Sequence, residues 1–116
     1  MTVTNALEQK PVPVYGSGQN IQDWLYVEDH CRALESVIVK GRAGEIYNIG
    51  GGQEITNLEL VGTILDLVGK PQNSVVFVPD RPGHDRRYAL DASKIRRELG
   101  WEKGVSFAEA LQRTVE

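Results

Sequence analysis

The run Val75-Val76-Phe77-Val78 constrains this chain most, because it is a short strand with no polar alternation. A strand of that kind needs cover on both faces, as in parallel sheets flanked by helices. The segments around it follow the same logic. Thr4 to Gln9 reads as the end of a helix stopped by Pro11, Pro13-Val14-Tyr15 as extended chain, and Gly16 to Asn20 as a turn. Asp23 to Val27 alternates, with Trp24 and Tyr26 on one face and Leu25 and Val27 on the other, which predicts a strand.

Val27, Cys31, Leu34 and Ile38 recur at helical spacing behind the acidic first-turn residues Glu28 and Asp29, and Lys40-Gly41 closes that helix. Glu45 to Ile49 predicts a further strand running into Gly50-Gly51-Gly52. Thr56 with Glu59 has the spacing of a capping box, ahead of a stripe of Leu58, Val61, Leu65 and Val68 that ends at Gly69-Lys70-Pro71. After the apolar strand, Arg81 to Arg87 is a polar loop. Ala92 to Leu99 is a short helix ended by Gly100, and Ser106 with Glu109 predicts a second capping box opening a terminal helix. Strands alternate with helices, so the expected fold is α/β (mixed α+β), one domain over residues 1–116 without repeats or linkers.

Charge and composition narrow the partners. Hydrophobic residues make up 41% and charged residues 25%, as in an ordinary globular domain, and the net charge of -3 argues against general nucleic-acid or membrane-surface binding. A small anion remains possible, since two or three local arginines suffice for a diphosphate. Cys31 is the only cysteine, so no internal disulfide forms. With no apolar run of membrane length and no secretory pattern at Met1 to Lys10, the expected location is the cytoplasm.

The densest polar constellation is Asp80-Arg81-Pro82-Gly83-His84-Asp85-Arg86-Arg87, directly after the apolar strand. Ligands of α/β proteins usually bind in loops at strand ends. Arg81 offers a planar fork of donors suited to phosphate oxygens, and His84 can donate from either ring nitrogen. A solvated loop with incidental charge explains the same residues. Asn57, beside the helix start at Thr56, reads either as an amide placed for a polar or anionic group or as a residue chosen for its local hydrogen bonding. The glycine runs lack a Gly-Lys-Ser/Thr ending and a dinucleotide fingerprint, so they read as backbone positions needing positive φ or close approach. Glu28, Asp29, His30 and Cys31 are consecutive on a helix and point in different directions, which excludes convergence on one metal ion. Cys31 reads as a packed thiol. Tyr15, at the end of an extended segment before a glycine turn, is the aromatic expected at a site.

Read together, Pro11-Val12-Pro13-Val14-Tyr15-Gly16, Asp23-Trp24-Leu25-Tyr26-Val27-Glu28-Asp29-His30 and Tyr47-Asn48-Ile49-Gly50-Gly51 resemble extended short-chain dehydrogenase/reductases acting on nucleotide sugars. Asp80 to Ile95 followed by Glu98-Leu99-Gly100-Trp101 is similar to the dTDP-glucose 4,6-dehydratase branch. The resemblance implies the C-terminal third of such an enzyme, its substrate-binding portion, without the N-terminal fold that holds NAD. Family members carry a Tyr-x-x-x-Lys pair. Here Tyr15, Tyr26, Tyr47 and Tyr88 are followed four residues later by Gln19, His30, Gly51 and Ala92, so no catalytic residue and no cofactor are expected in this stretch. The contacts the resemblance implies for a dTDP-sugar fall on Pro13, Val14 and Tyr15, on Asn57, and on Asp80, Arg81, Pro82, Gly83 and His84. Gln22 stands where the family usually has a diphosphate-binding arginine. The alternatives are a portion of another nucleotide-sugar epimerase or dehydratase, or a non-catalytic assembly or regulatory module. The expected partners are a dTDP-sugar and either a second copy, meeting through Asp23 to Ile49, or an N-terminal part. A terminal helix folded back over that surface would instead leave a monomer.

Overall fold

In the computed structural model, which describes residues 1–116, the chain runs α1 (Thr2–Leu7), β1 (Val12–Tyr15), β2 (Ile21–Asp23), α2 (Val27–Lys40), β3 (Glu54–Thr56), α3 (Asn57–Leu67), β4 (Val75–Val78), β5 (Arg87–Tyr88), α4 (Ser93–Leu99) and α5 (Phe107–Val115). The architecture is mixed α/β with two small sheets. In one, β1 and β4 pair in parallel from Val12 against Val75 to Tyr15 against Val78. In the other, β2 lies between antiparallel β3 and parallel β5. No helix is long and apolar enough to cross a membrane.

Local chemistry accounts for where the helices start and stop. Thr56 Oγ1 accepts from the Glu59 N–H at 3.1 Å, and the Glu59 carboxylate accepts from the Thr56 N–H at 2.8 Å, so α3 begins with the full capping box. At α5 only half of that pattern forms: Ser106 Oγ accepts from the Glu109 N–H at 3.2 Å, while the Glu109 carboxylate binds Arg113 instead of reaching back. Gly100 ends α4 at φ 67°, a left-handed conformation that glycine adopts without steric cost.

Three small apolar clusters replace one continuous core. Val12 and Val14 of β1 pack with Ala6, Val61 and Leu65. Ala33 of α2 packs with Ala92, Ile95, Leu99 and Trp101. Leu60 and Ile64 of α3 meet Leu111 of α5. Asp29, with only 4% of its side chain exposed, ties α2 to the segment after α4. Its Oδ1 accepts from the Gly104 N–H at 2.9 Å and from Arg32, and its carbonyl accepts from Trp101 Nε1 at 3.1 Å. Burial pushes the Asp29 carboxyl upward, but the Gly104 and Arg32 hydrogen bonds outweigh it and hold the group below its ordinary value. The stabilisation from this anchor is therefore present above the ordinary carboxylate range and is lost as pH falls through the lowered value.

Several expectations from the sequence need correction. The strand expected at Asp23 to Val27 lies earlier, at Ile21–Asp23, because Tyr26 already caps α2 and Val27 is its first helical residue. Glu45 to Ile49 forms no strand, for lack of a neighbouring strand to pair with. The stripe of Val27, Leu34 and Ile38 lacks cover, as expected for a contact surface within Asp23 to Ile49, but its thiol is misplaced. Their exposures are 65%, 45% and 83%, and Cys31 is exposed rather than packed. β4 is not covered on both faces, since Val76 and Phe77 stay 45% and 57% exposed. The terminal helix does not fold over α2, because Leu111 is committed to α3.

Candidate functional site

The parallel pairing of β1 with β4 brings two loops to one end of the molecule. Tyr15 stands opposite Val78, so the Gly16 turn and the Asp80 loop both leave from the carboxyl ends of these strands. The Gly16 N–H donates to the Val78 carbonyl at 2.9 Å, which continues the pairing by one step. Gly16 (φ 58°) and Gly18 (φ 72°) adopt the left-handed conformation, and a Cβ at Gly16 would meet Asp80 Oδ2 at 2.9 Å. Both glycines therefore have structural reasons, one of them the close approach of the loop itself.

Within the loop, Asp80 organises its neighbours. Its Oδ1 lies 2.7 Å from His84 Nδ1 and accepts from the Arg81 N–H at 2.9 Å. The His84 imidazole beside it holds the Asp80 carboxyl below the usual carboxylate range. Tyr15 packs edge-on to the His84 ring with centroids 6.4 Å apart, and the His84 side chain is only 3% exposed. An Nδ1–H donated to Asp80 leaves Nε2 as the ring's other polar atom. Asp80 itself is a carboxylate already engaged twice. These two bonds hold the loop and the imidazole in place.

The loop is tied to the second sheet by Asn20 Nδ2, which donates to the Asp85 carbonyl at 2.8 Å, and by the Ile21 N–H, which donates to the Arg86 carbonyl at 2.9 Å. Between them opens a polar cleft of about 480 Å³ lined by Ser17, Gln19, Asn20, Ile21, Asp80 and Arg86. Arg87 does not join it. Its guanidinium forms two 2.7 Å hydrogen bonds to the Glu54 carboxylate across β2. Arg81 and Arg86 enter no ion pair within the chain, so two guanidinium groups remain available on this loop.

The other expected residues are distributed unevenly. Tyr15 is 43% exposed beside the loop, whereas Val14 is 3% exposed in the core, so Val14 can offer a ligand only its backbone. Pro13 is half-buried opposite Val76. Pro82 and Gly83 are exposed and shape the loop, Gly83 at φ 72°. Asn57 sits at the start of α3, but the backbone donors there are spent. The Asn57 N–H donates to Asn20 and the Leu58 N–H to Gly18, both at 2.9 Å, and the Glu59 N–H to Thr56. Only the Asn57 side-chain amide is left for a ligand. Gln22 is half-buried on the sheet face it shares with Ile55 and Tyr88, and it is not among the residues lining the cleft. Asn20, Gln19 and Ser17 line the cleft and were not singled out from the sequence, whereas Arg86 belongs to the polar constellation read there. The signal for Arg86 was its place in the basic run after β4.

These residues do not fit the pyrophosphate of a dinucleotide. Gly16 and Gly18 lie in the turn between two strands, and Gly50 to Gly52 leads into β3, so neither run opens a helix. Gly50 and Gly51 serve packing instead: a Cβ would meet Asp23 Oδ2 at 2.6 Å or the Trp24 carbonyl at 2.3 Å. No three His, Cys, Asp or Glu side chains are grouped so as to hold a metal ion.

A family model described as GDP-mannose 4,6 dehydratase matches residues 1–114. The dTDP-glucose 4,6-dehydratase of Salmonella typhimurium is 52% identical over 100% of this chain and 34% of its own length. That of Streptomyces niveus is 56% identical over 97% of this chain and 34% of its own. The crystal structure of the Streptomyces venezuelae dTDP-glucose 4,6-dehydratase with NAD bound superposes with a TM-score of 0.95 at 54% identity, covering 98% of this chain and 35% of that one. The chain thus spans about a third of the length of the relatives it matches.

Proposed function

Since this chain belongs to the GDP-mannose 4,6 dehydratase family and is similar to its dTDP-glucose 4,6-dehydratases, we propose that it supplies the nucleotide-sugar-binding portion of such an enzyme, the C-terminal third. The observation that carries this reading is the junction of Tyr15, Asp80, Arg81 and His84 at the carboxyl ends of β1 and β4, with Arg81 and Arg86 left without internal ion partners. The assignment to the C-terminal third is supported by what these residues do not build. No glycine turn leads from a strand into a helix, and no tyrosine is followed four residues later by lysine.

In this reading the diphosphate of a dTDP-sugar meets Arg81 first. A planar guanidinium binds phosphate oxygens in pairs, and the charge-assisted bonds shorten and strengthen accordingly. His84, fixed through Nδ1 by Asp80, presents Nε2. Tyr15 offers a ring face and edge to the nucleoside, and the Asn57 amide supplies a neutral donor. Hydride transfer and dehydration belong to parts of the family's length outside this chain; what this portion contributes is binding and orientation of the substrate.

Gln22 is the position at which specificity and affinity depart from the family resemblance. A hydrogen bond to a charged group contributes about 1.5–3 kcal/mol, so Gln22→Arg is expected to tighten dTDP binding roughly ten- to a hundred-fold. Arg81→Ala is expected to weaken it by a similar factor. Calorimetric titration of both variants with dTDP and with dTDP-glucose checks this. An unchanged affinity in Gln22→Arg would place the diphosphate away from β2, and an unchanged affinity in Arg81→Ala would remove the loop from the site.

A further inference from the structure

We infer that His84 meets the phosphate of its ligand as an imidazolium, and that Asp80 is the positioning residue that lets a nearly buried ring carry that charge. The inference rests on the nucleotide-sugar reading above and deepens it: the site takes up a proton together with its anionic ligand. The ring is enclosed. Only 3% of the His84 side chain is exposed, Tyr15 of β1 meets it edge-on, and Nδ1 lies 2.7 Å from Asp80 Oδ1. Its backbone N–H is tied as well, donating to the Arg81 carbonyl at 3.3 Å. Nε2 has no partner within the chain. Trp24 Nε1 is the one side-chain polar atom both unpartnered and shut off from solvent, so His84 Nε2 keeps an opening.

The 2.7 Å contact dictates where the protons sit. The imidazole beside Asp80 holds its carboxyl below the usual carboxylate range, so Asp80 is ionised wherever an imidazole titrates. An ionised carboxylate only accepts, so Nδ1 must carry the hydrogen. A neutral ring then presents a bare lone pair at Nε2, which repels a phosphate oxygen instead of binding it. Only the imidazolium donates at both nitrogens. The charge count agrees. With a neutral ring the Asp80 carboxylate is unbalanced beside an incoming phosphate; with a protonated ring the two groups cancel.

Binding and protonation are therefore linked. An anion at Nε2 strengthens the ring's hold on its proton, and by reciprocity the proton strengthens the hold on the anion. Affinity is expected to be highest in weakly acidic solution and to fall as pH rises through the titration of His84. The other charged or titratable groups around the ring are Arg81 and Asp85 on its own loop, Tyr15 from β1 and, across Asp80, Arg86 of the cleft. Guanidinium, phenol and free carboxyl groups do not ordinarily change charge near neutrality, which leaves the imidazole as the group that does. An opposite charge close by moves a titration by about 1–3 units, so the fall is expected to be roughly tenfold or more.

Calorimetric titration of the chain with dTDP-glucose between about pH 5.5 and 8.5, in buffers of different ionisation heat, tests this. Each phosphate of that ligand is esterified twice, so its own charge stays constant over the range. The expected result is an affinity that drops at least about tenfold across it, with net proton uptake passing through one maximum. His84→Gln keeps a neutral donor and is expected to bind without pH dependence or uptake. Asp80→Asn can still accept from Nδ1 without the charge, and is expected to move the fall in affinity to lower pH. Nitrogen NMR of the imidazole rings follows the same proton, with the exposed His30 as internal reference. Binding of dTDP-glucose by the unmodified chain without proton uptake overturns the inference and leaves the nucleotide-sugar site standing. Uptake that persists in His84→Gln overturns the assignment to this ring, and an unshifted profile in Asp80→Asn overturns the part given to Asp80. Failure of dTDP-glucose to bind at any pH removes the site and the inference together.

Discussion

Incubated with NAD and dTDP-glucose, the purified 116-residue chain is expected to release no detectable 4-keto-6-deoxy sugar. Oxidation at the sugar's C4 requires a bound dinucleotide and a group that takes the hydroxyl proton. Neither glycine run forms a pyrophosphate-binding turn, the first N–H groups of α3 are spent on Gly18, Asn20 and Thr56, and the Tyr-x-x-x-Lys pair is absent. The nearest candidate for proton transfer, His84, is held through Nδ1 by the Asp80 carboxylate. Chromatography of the reaction mixture checks the expectation. Any turnover would mean that residues outside the Tyr15 and Asp80 loops perform the chemistry.

The second large effect concerns the fold that positions the site. Ile95, fully buried between Ala33, Ala92, Leu99 and Trp101, is the central side chain of its cluster. Truncating a buried isoleucine to alanine costs about 2–5 kcal/mol through lost burial and the cavity left behind. Against a total stability of about 5–15 kcal/mol, Ile95→Ala is expected to lower the urea midpoint steeply or leave the chain unfolded. Ile38→Ala, at the same residue type but 83% exposed, should move it little within a single chain. Equilibrium urea denaturation of the two variants at concentrations below association separates them. Equal losses would mean that α2 is buried the other way round.

The contrast between Ile95 and Ile38 also marks what could be read from the sequence. Helix limits are written locally, in Thr56 with Glu59, in Ser106 and in Gly100, because caps involve residues three or four apart. Periodicity located the outer stripe of α2 correctly but gave no information on whether anything covers it. Cover depends on the rest of the structure. Strand assignment failed for the same reason. Trp24 still donates its N–H to the Gln53 carbonyl at 3.0 Å, so the alternation continues past Asp23, yet the chain turns into α2 at Tyr26. Glu45 to Ile49 has the composition of a strand and lacks a ladder. At the site, the density of Asp80 to Arg87 made the loop legible, and Tyr15 was legible from its place before a glycine turn. Asn20 was not, because only the pairing of β2 with β5 brings it to one cleft with Arg86.

The central claim, that Tyr15 and the Asp80 loop form a nucleotide-sugar site, is tested most directly by amide chemical-shift mapping on the ¹⁵N-labelled chain during a dTDP titration. Saturable shifts are predicted at Tyr15, Gly16, Arg81, Gly83 and His84, together with the Asn57 side-chain amide, and they should be lost in Arg81→Ala. A spectrum unchanged at millimolar dTDP, or shifts confined to residues remote from these loops, would contradict the account.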